Sequence, residues 1–302
     1  MRKAGGAPVP GERIEVPRER AGERLDRFLA SALAIPVERA RALVAGGRVR
    51  IRGRTCSPLR KLFGGEEVVV DRPAPRREAA VGPALPVLHD DADCLVVSKP
   101  AGLAVEPARP GAASAVGAAS RIGRFDVGGR AAPGLAHRLD RDTSGCLLLA
   151  RTDRALAALK RAFEEGKIEK EYLAIVGGAP PDSGALDTPY GRSPSDPRRF
   201  TTRVASARRA RLSWTVERRL RGAALLRVAL DTGRTHQIRV QLAEAGYPVL
   251  GDAVYGVPSE AIARQALHAA RLAFPRPSDK ARVEVRAPIP DDLARAIAAL
   301  TA

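Results

Sequence analysis

The sequence predicts an α+β protein: a small helix-helix-strand unit followed by a larger domain on a mixed, mostly antiparallel sheet. Three observations carry this. Leu25, Phe28, Leu29 and Leu33 recur near the start at the spacing of one helix face. Short apolar runs bounded by turn residues dominate the middle of the chain. One last amphipathic run, with Leu293, Ile297 and Leu300 on its apolar side, closes it. With 302 residues, 45% of them hydrophobic, there is enough apolar material for one large core or two smaller ones.

The elements follow in order. Residues 1–20 are rich in Gly, Pro and charge and read as a poorly ordered tail. The first helix follows. A second begins near Pro36, carries Ala40 and Leu43 inward, and stops at Gly46-Gly47. Val49 to Arg52 alternates as a strand does, and Glu66 to Val70 forms another after Gly64-Gly65. The small unit thus spans 21–72. Residues 73–83, with Pro73, Pro75, Arg76 and Arg77, read as a linker, and the large domain covers 84–302. Within it, Leu95 to Val97 is a strand ending at Ser98-Lys99-Pro100. Residues 107–131 are Gly- and Ala-rich and show no clear period. Thr152 or Asp153 caps a helix that buries Leu156, Leu159 and Phe163. Tyr172 to Val176 is a strand. Arg211 to Arg219 and Ala224 to Leu230 pair as a hairpin across Arg221-Gly222. No internal repeat is detectable.

Composition narrows the partner. The net charge is +17, which favours a polyanion. Only seven of the 51 basic side chains are lysines; the rest are arginines, whose forked guanidinium suits phosphate. Between 192 and 211, Arg192, Arg198, Arg199, Arg203, Arg208, Arg209 and Arg211 face a single acid, Asp196, a density suited to tracking an RNA backbone. The three cysteines are scattered, so neither a disulfide framework nor a metal site is expected, and the four histidines show no ligand spacing. No apolar run is long enough to span a bilayer and no secretory pattern is visible, so a cytoplasmic, membrane-free protein is expected. There is no phosphate-binding glycine loop or dinucleotide fingerprint, so no cofactor is expected either.

The most informative stretch is His137-Arg138-Leu139-Asp140-Arg141-Asp142-Thr143-Ser144-Gly145, which runs into Cys146-Leu147-Leu148-Leu149-Ala150. A carboxylate flanked by Arg138 and Arg141 beside a buried strand is costly to desolvate unless paired. Three further segments stand out: Lys170-Glu171-Tyr172-Leu173, the run Asp231 to Ala243 containing Gly233-Arg234-Thr235-His236-Gln237-Ile238-Arg239, and Gly251-Asp252-Ala253-Val254-Tyr255-Gly256 before Leu267-His268. Alone, each has a plain reading: an Asp in a turn, a core tyrosine, a helix start.

Together and in this order, over about 21–275, they resemble the RluA-type family of RNA pseudouridine synthases. The small unit resembles an RNA-binding domain first described in a ribosomal small-subunit protein, with Leu25, Asp26, Phe28 and Leu29 at its start, Arg39 and Arg41 on its basic helix, and Gly65-Glu66 in place of the usual Gly-Asp turn. Ser98 and Glu106 depart from the family pattern around Lys99-Pro100.

The resemblance implies isomerisation of uridine to pseudouridine in RNA without a cofactor. Asp140 would be the catalytic residue, Tyr172 would stack on the target uracil, and Arg239 would be the ion-pair partner of Asp140. Arg138 would fill the space left by a flipped base. Arg141, Arg39, Arg41, Arg198, Arg199 and Arg234 would contact RNA. His236 is expected to hydrogen-bond at a helix start, and the 251–256 segment to support the pocket. By analogy the substrate is large-subunit ribosomal RNA, with transfer RNA as the alternative, and a monomer is expected. Two other classes compete. A non-catalytic RNA-binding assembly factor would not need Asp140, Tyr172 and Arg239 together. A glycoside-cleaving hydrolase would need a second carboxylate, and Asp142 is too close in sequence and too turn-like for that part.

Overall fold

The computed structural model describes residues 11–71, 82–109, 111–129 and 132–301. Its first unit is built on helices α1 (Leu25–Ala32) and α2 (Val37–Ala45), which bury Leu25, Phe28 and Leu29 against Ala40, Leu43 and Val44. Pro36 fixes the entry of α2 and Gly46 ends it. The helices pack on a four-stranded antiparallel sheet of order β1-β4-β2-β3, formed by β1 (Glu12–Glu15), β2 (Val49–Ile51), β3 (Arg54–Thr55) and β4 (Glu67–Val70).

This corrects the expected tail. Residues 11–20 are folded: Ile14 packs toward the core opposite Val68, and Val16 is wholly buried. The partner strand of β1 lies more than fifty residues downstream, and that pairing outweighs a local composition rich in Pro and charge. Residues 1–10 lie outside the described residues. So do 72–81, which hold most of the expected linker.

The larger unit contains β5 (Val87–Asp90), β6 (Cys94–Lys99), α3 (Ala115–Ala119), β7 (Gly134–Leu135), β8 (Ser144–Ala150), α4 (Asp153–Glu164), β9 (Glu169–Gly177), β10 (Ser183–Pro189), β11 (Gly191–Arg192), β12 (Phe200–Thr201), β13 (Arg209–Leu220), β14 (Ala223–Leu230), α5 (Gln237–Glu244), β15 (Leu267–Pro275), β16 (Arg282–Arg286) and α6 (Asp291–Thr301). Its ten-stranded sheet runs β10-β13-β14-β9-β15-β8-β6-β5, with β16 on β15 and β7 on β8. All pairs are antiparallel except β8–β15. The expected mixed, mostly antiparallel sheet is therefore present. The helix α3 falls inside 107–131, where alanine and glycine gave no readable period.

The apolar run of β8 is buried on both faces. Cys146 and Leu148, with Cys94 and Val96, pack under Ala155 and Leu159 of α4. Leu147 and Leu149 belong to the opposite core, with α3, α5 and α6. Thr152 caps α4 by accepting the Ala155 N–H at 3.1 Å. At the parallel pair, Gly145 sits at φ 114°, and a Cβ there would fall 2.2 Å from the Ala269 carbonyl oxygen. Glycine thus lets β8 and β15 meet at the point where the chain emerges from the Asp140 turn.

Candidate active site

The site forms where three connections converge: the turn into β8, the turn into α5, and the loop between α5 and β15. Asp140 lies in the first. The Thr143 N–H bonds to the Asp140 carbonyl at 3.1 Å and closes the turn. Lys99, wholly buried, donates to the carbonyls of Pro100, Leu103 and Arg141, each at 2.8 Å, and so ties the turn to the end of β6. Burial lowers this ammonium to about 8. From the other side, Arg264 donates to the Asp142 carbonyl at 3.1 Å while Asp292 of α6 grips it at 2.6 and 3.0 Å.

The Asp140 side chain is 23% exposed and lines a cleft of about 1790 Å³. Its Oδ2 accepts from Arg239 Nη1 at 2.9 Å and from Gln265 Nε2 at 3.4 Å. The neighbouring Arg138 and Arg141 do not pair with it. Arg141 faces Asp142 at 3.3 Å, and Arg138, 75% exposed, reaches toward Glu106 at 4.0 Å. The expected partner from a distant segment is therefore the actual one, and among the described residues no hydrogen bond reaches Oδ1.

Arg239, 6% exposed, is clamped by Asp252, which is fully buried. Asp252 accepts from Nε at 2.6 Å and from Nη2 at 2.8 Å, and also takes the N–H groups of Val254 and Tyr255. Burial alone would lower Arg239; the hydrogen bonds and charge of Asp252, then Asp140, override it and push the guanidinium well above its ordinary value. Burial likewise opposes ionisation of Asp252, and Arg239 reverses that, so its carboxyl lies below the usual range. Gly251, at φ 70° and with no room for a Cβ beside the Arg264 carbonyl, makes the bend that delivers Asp252.

Tyr172, on β9, lines the same cleft and is nearly buried. Burial first, and the Asp140 charge second, push its phenol far up, so it stays protonated. Lys170 is lowered to about 8, chiefly by burial.

The expected role of His236 is corrected. It occupies the N-cap of α5, but its ring makes no capping bond. Gln237 instead ties down the turn before the helix, its Oε1 accepting from the Arg234 N–H and the Thr232 hydroxyl. The imidazole turns instead toward Asp140.

The cleft therefore gathers Asp140, Tyr172, Arg239, Arg138, Arg141 and Arg234. It does not gather the other expected arginines. Arg39 is spent on Asp126, at 2.8 Å, and on Asp153, joining the small unit to the large one. That correction has a simple cause: both acids lie far along the chain. Arg41 bonds to Asp26 at 2.7 Å. Arg198 and Arg199 sit on the β11–β12 hairpin outside the cleft, with Arg199 over the Tyr255 ring at 5.1 Å. Lys99, Gln265 and Asp252 are the site residues whose contacts sequence reasoning missed. Asp252 had a signal in its Gly-Asp motif and Lys99 in the Lys99-Pro100 segment, while Gln265 had none. One group with metal-ligand chemistry exists among the described residues, His89, Asp91 and Cys94 on the β5–β6 turn, away from the cleft. Its His–Asp contact of 2.8 Å and the Asp91-to-backbone bonds account for it as a turn.

An arginine-lined cleft around a carboxylate held by a buried arginine, at the joins of a mixed sheet, suits an enzyme that acts on RNA. Residues 93–244 match the RNA pseudouridylate synthase family. The chain is 38% identical to an uncharacterized RNA pseudouridine synthase of Chloroflexus aurantiacus, over 93% of this chain and 90% of that protein. It is 36% identical to ribosomal large subunit pseudouridine synthase D of Zymomonas mobilis, over 94% and 96%. The fold also matches human RNA pseudouridylate synthase domain containing 1, with TM-score 0.56, 26% identity and coverage of 68% of this chain and 84% of that one. The chain belongs to the RluA-type RNA pseudouridine synthase family, isomerases that convert uridine in RNA to pseudouridine.

Proposed function

We infer that this enzyme isomerises specific uridines of large-subunit ribosomal RNA, with Asp140 as the catalytic carboxylate. The observation that carries the reading is that, among the described residues, Asp140 is anchored through Oδ2 alone. Arg239 and Gln265 hold Oδ2, and among the described residues no hydrogen bond reaches Oδ1. Cleaving the uridine glycosidic bond develops positive charge at the sugar carbon, and a fixed carboxylate is the matching partner. The target base must leave its stack to arrive there. Tyr172 offers a planar ring for it, and exposed Arg138 stands where it can occupy the vacated space. The choice of large-subunit RNA rests on relatives such as the Zymomonas mobilis protein, similar over nearly the whole chain. The small unit, through its resemblance to an RNA-binding domain, would add affinity for structured RNA.

A hydrolase reading is disfavoured. Asp252, the other carboxylate on Arg239, is saturated with hydrogen bonds and closed to solvent, so it cannot act as the second of a catalytic pair.

The test is to incubate unmodified large-subunit ribosomal RNA and transfer RNA with the purified protein and with Asp140→Asn, then map pseudouridine. Product in the ribosomal RNA with the unaltered protein alone supports the reading. Product confined to transfer RNA moves the substrate, and no product, or equal product from the variant, overturns the role of Asp140.

A further inference from the structure

The open oxygen of Asp140 has a second neighbour. His236 stands at the turn into α5 with φ 58°, a left-handed conformation uncommon for a residue with a side chain. Its ring lies edge-on to Phe200 at 5.8 Å and to Tyr255 at 5.6 Å. Tyr190 stacks on Phe200 at 5.8 Å and donates its hydroxyl to the Thr235 carbonyl at 2.6 Å. The imidazole and the backbone before it are therefore both held.

The hydrogen bonds are compatible with a ring proton on the side that faces Asp140. The Phe200 N–H donates to the Tyr255 hydroxyl oxygen at 2.9 Å. The Tyr255 hydroxyl also meets His236 Nδ1 at 3.1 Å, and with its phenolic proton turned to that nitrogen the ring accepts there. A ring nitrogen that accepts carries no proton, so the neutral imidazole carries it on Nε2. Burial holds this histidine below its ordinary value, Arg239 acts the same way, and Asp140 and Asp252 pull against them. Among the described residues, those three are the charged groups that act on the ring.

Nε2 lies 3.9 Å from Asp140 Oδ1. That is too far for a direct hydrogen bond. It is the gap that one oxygen atom at ordinary hydrogen-bond distance from each side would bridge. Such an atom must donate to a carboxylate oxygen and accept from an N–H. A carbonyl oxygen cannot donate and an amide nitrogen cannot accept; a hydroxyl does both. An internal RNA nucleotide has one free hydroxyl, the ribose 2′-OH, attached beside the carbon that bears the base. We propose that His236 Nε2 and Asp140 Oδ1 together clasp the 2′-hydroxyl of the target uridine, so that His236 is a catalytic-site residue that selects ribose over deoxyribose. The inference rests on uridine isomerisation at Asp140 but not on which RNA carries the uridine.

The experiment uses an oligoribonucleotide copied from around a uridine that the unaltered enzyme converts, made with ribose or 2′-deoxyribose at that position. Two variants accompany it. In His236→Gln the side-chain amide reaches the place of the ring Nε2. In His236→Asn the side chain tolerates the left-handed backbone and stays near Tyr255 but stops short of Asp140. The unaltered enzyme is expected to lose about tenfold in kcat/KM on the deoxy target, the scale of one good hydrogen bond. The His236→Asn protein should lose about tenfold on the ribose target and nothing more on the deoxy one, whereas His236→Gln should stay within about threefold of the unaltered enzyme on ribose.

Equal rates on both sugars for the unaltered enzyme overturn the inference, as do losses that multiply in His236→Asn. If His236→Asn lowers the thermal midpoint by more than a few degrees, the sugar comparison in His236→Gln decides: a preserved ribose preference supports the clasp and a lost one overturns it. Failure to convert any uridine in ribosomal or transfer RNA removes the functional reading and this inference with it.

Discussion

Asp252 binds Arg239 through two nitrogens, Nε and Nη2, and thereby leaves Nη1 as the only one aimed at Asp140. The clamp turns a flexible arginine into a fixed counter-charge. Asp252→Asn keeps the shape but removes the charge that compensates a buried guanidinium. It is expected to cost about 3 kcal/mol in urea unfolding, as breaking a buried pair does, and to slow isomerisation about 100-fold through loss of positioning. Normal turnover in a destabilised Asp252→Asn protein would show that the clamp serves folding alone.

Tyr172→Phe retains the ring and removes the hydroxyl. No described residue hydrogen-bonds that hydroxyl, so the unfolding midpoint should move little. If the hydroxyl handles a proton during the reaction, single-turnover rates should fall by about 100-fold. A change below threefold would reduce Tyr172 to a stacking surface.

RNA affinity should depend on salt through the cleft arginines. Exchanging Arg138, Arg141 and Arg234 together for glutamine is expected to lower the log–log salt slope by about 2, from roughly 0.7 per phosphate contact on single-stranded RNA. Arg39→Gln should leave the slope unchanged, because its guanidinium already serves Asp126 and Asp153. Arg198→Gln with Arg199→Gln asks whether the β11–β12 hairpin also meets RNA; an unchanged slope excludes that contact.

Acid should weaken the small unit. Hydrogen bonding from Arg24 lowers Asp26 from 3.8 to about 2, and hydrogen bonding from Arg60 lowers Glu66 from 4.5 to about 2. Both groups bind protons more readily when unfolded, so their contribution is complete above about pH 4.5 and disappears as pH falls toward 2. Amide hydrogen exchange at Phe28 and Val68 in the full-length chain should accelerate across that window. Asp26→Asn should be less protected at pH 6 and show a flatter response to acid.

Much of this was legible from local pattern. The capping Thr152, the β13–β14 hairpin and the Asp140 turn announce themselves within a few residues. What stayed hidden depends on distance. The strand character of Glu12 to Glu15 is settled by β4, and the fate of Arg39 by two acids around and beyond position 126. Arg239 came into view through family resemblance, since nothing local to it points to Asp140. His236 was misassigned because a helix-start position suggests capping, whereas the side chain at φ 58° is directed into the cleft and Gln237 takes the turn.

Arg264 connects α6 to the catalytic turn through Asp292 and the Asp142 carbonyl. During synthesis, residues 137–145 leave the ribosome some 150 positions before that acid does. The nascent chain therefore carries an unbraced carboxylate past a surface made of its own class of substrate, and the brace that completes the turn arrives only once Asp292 has emerged.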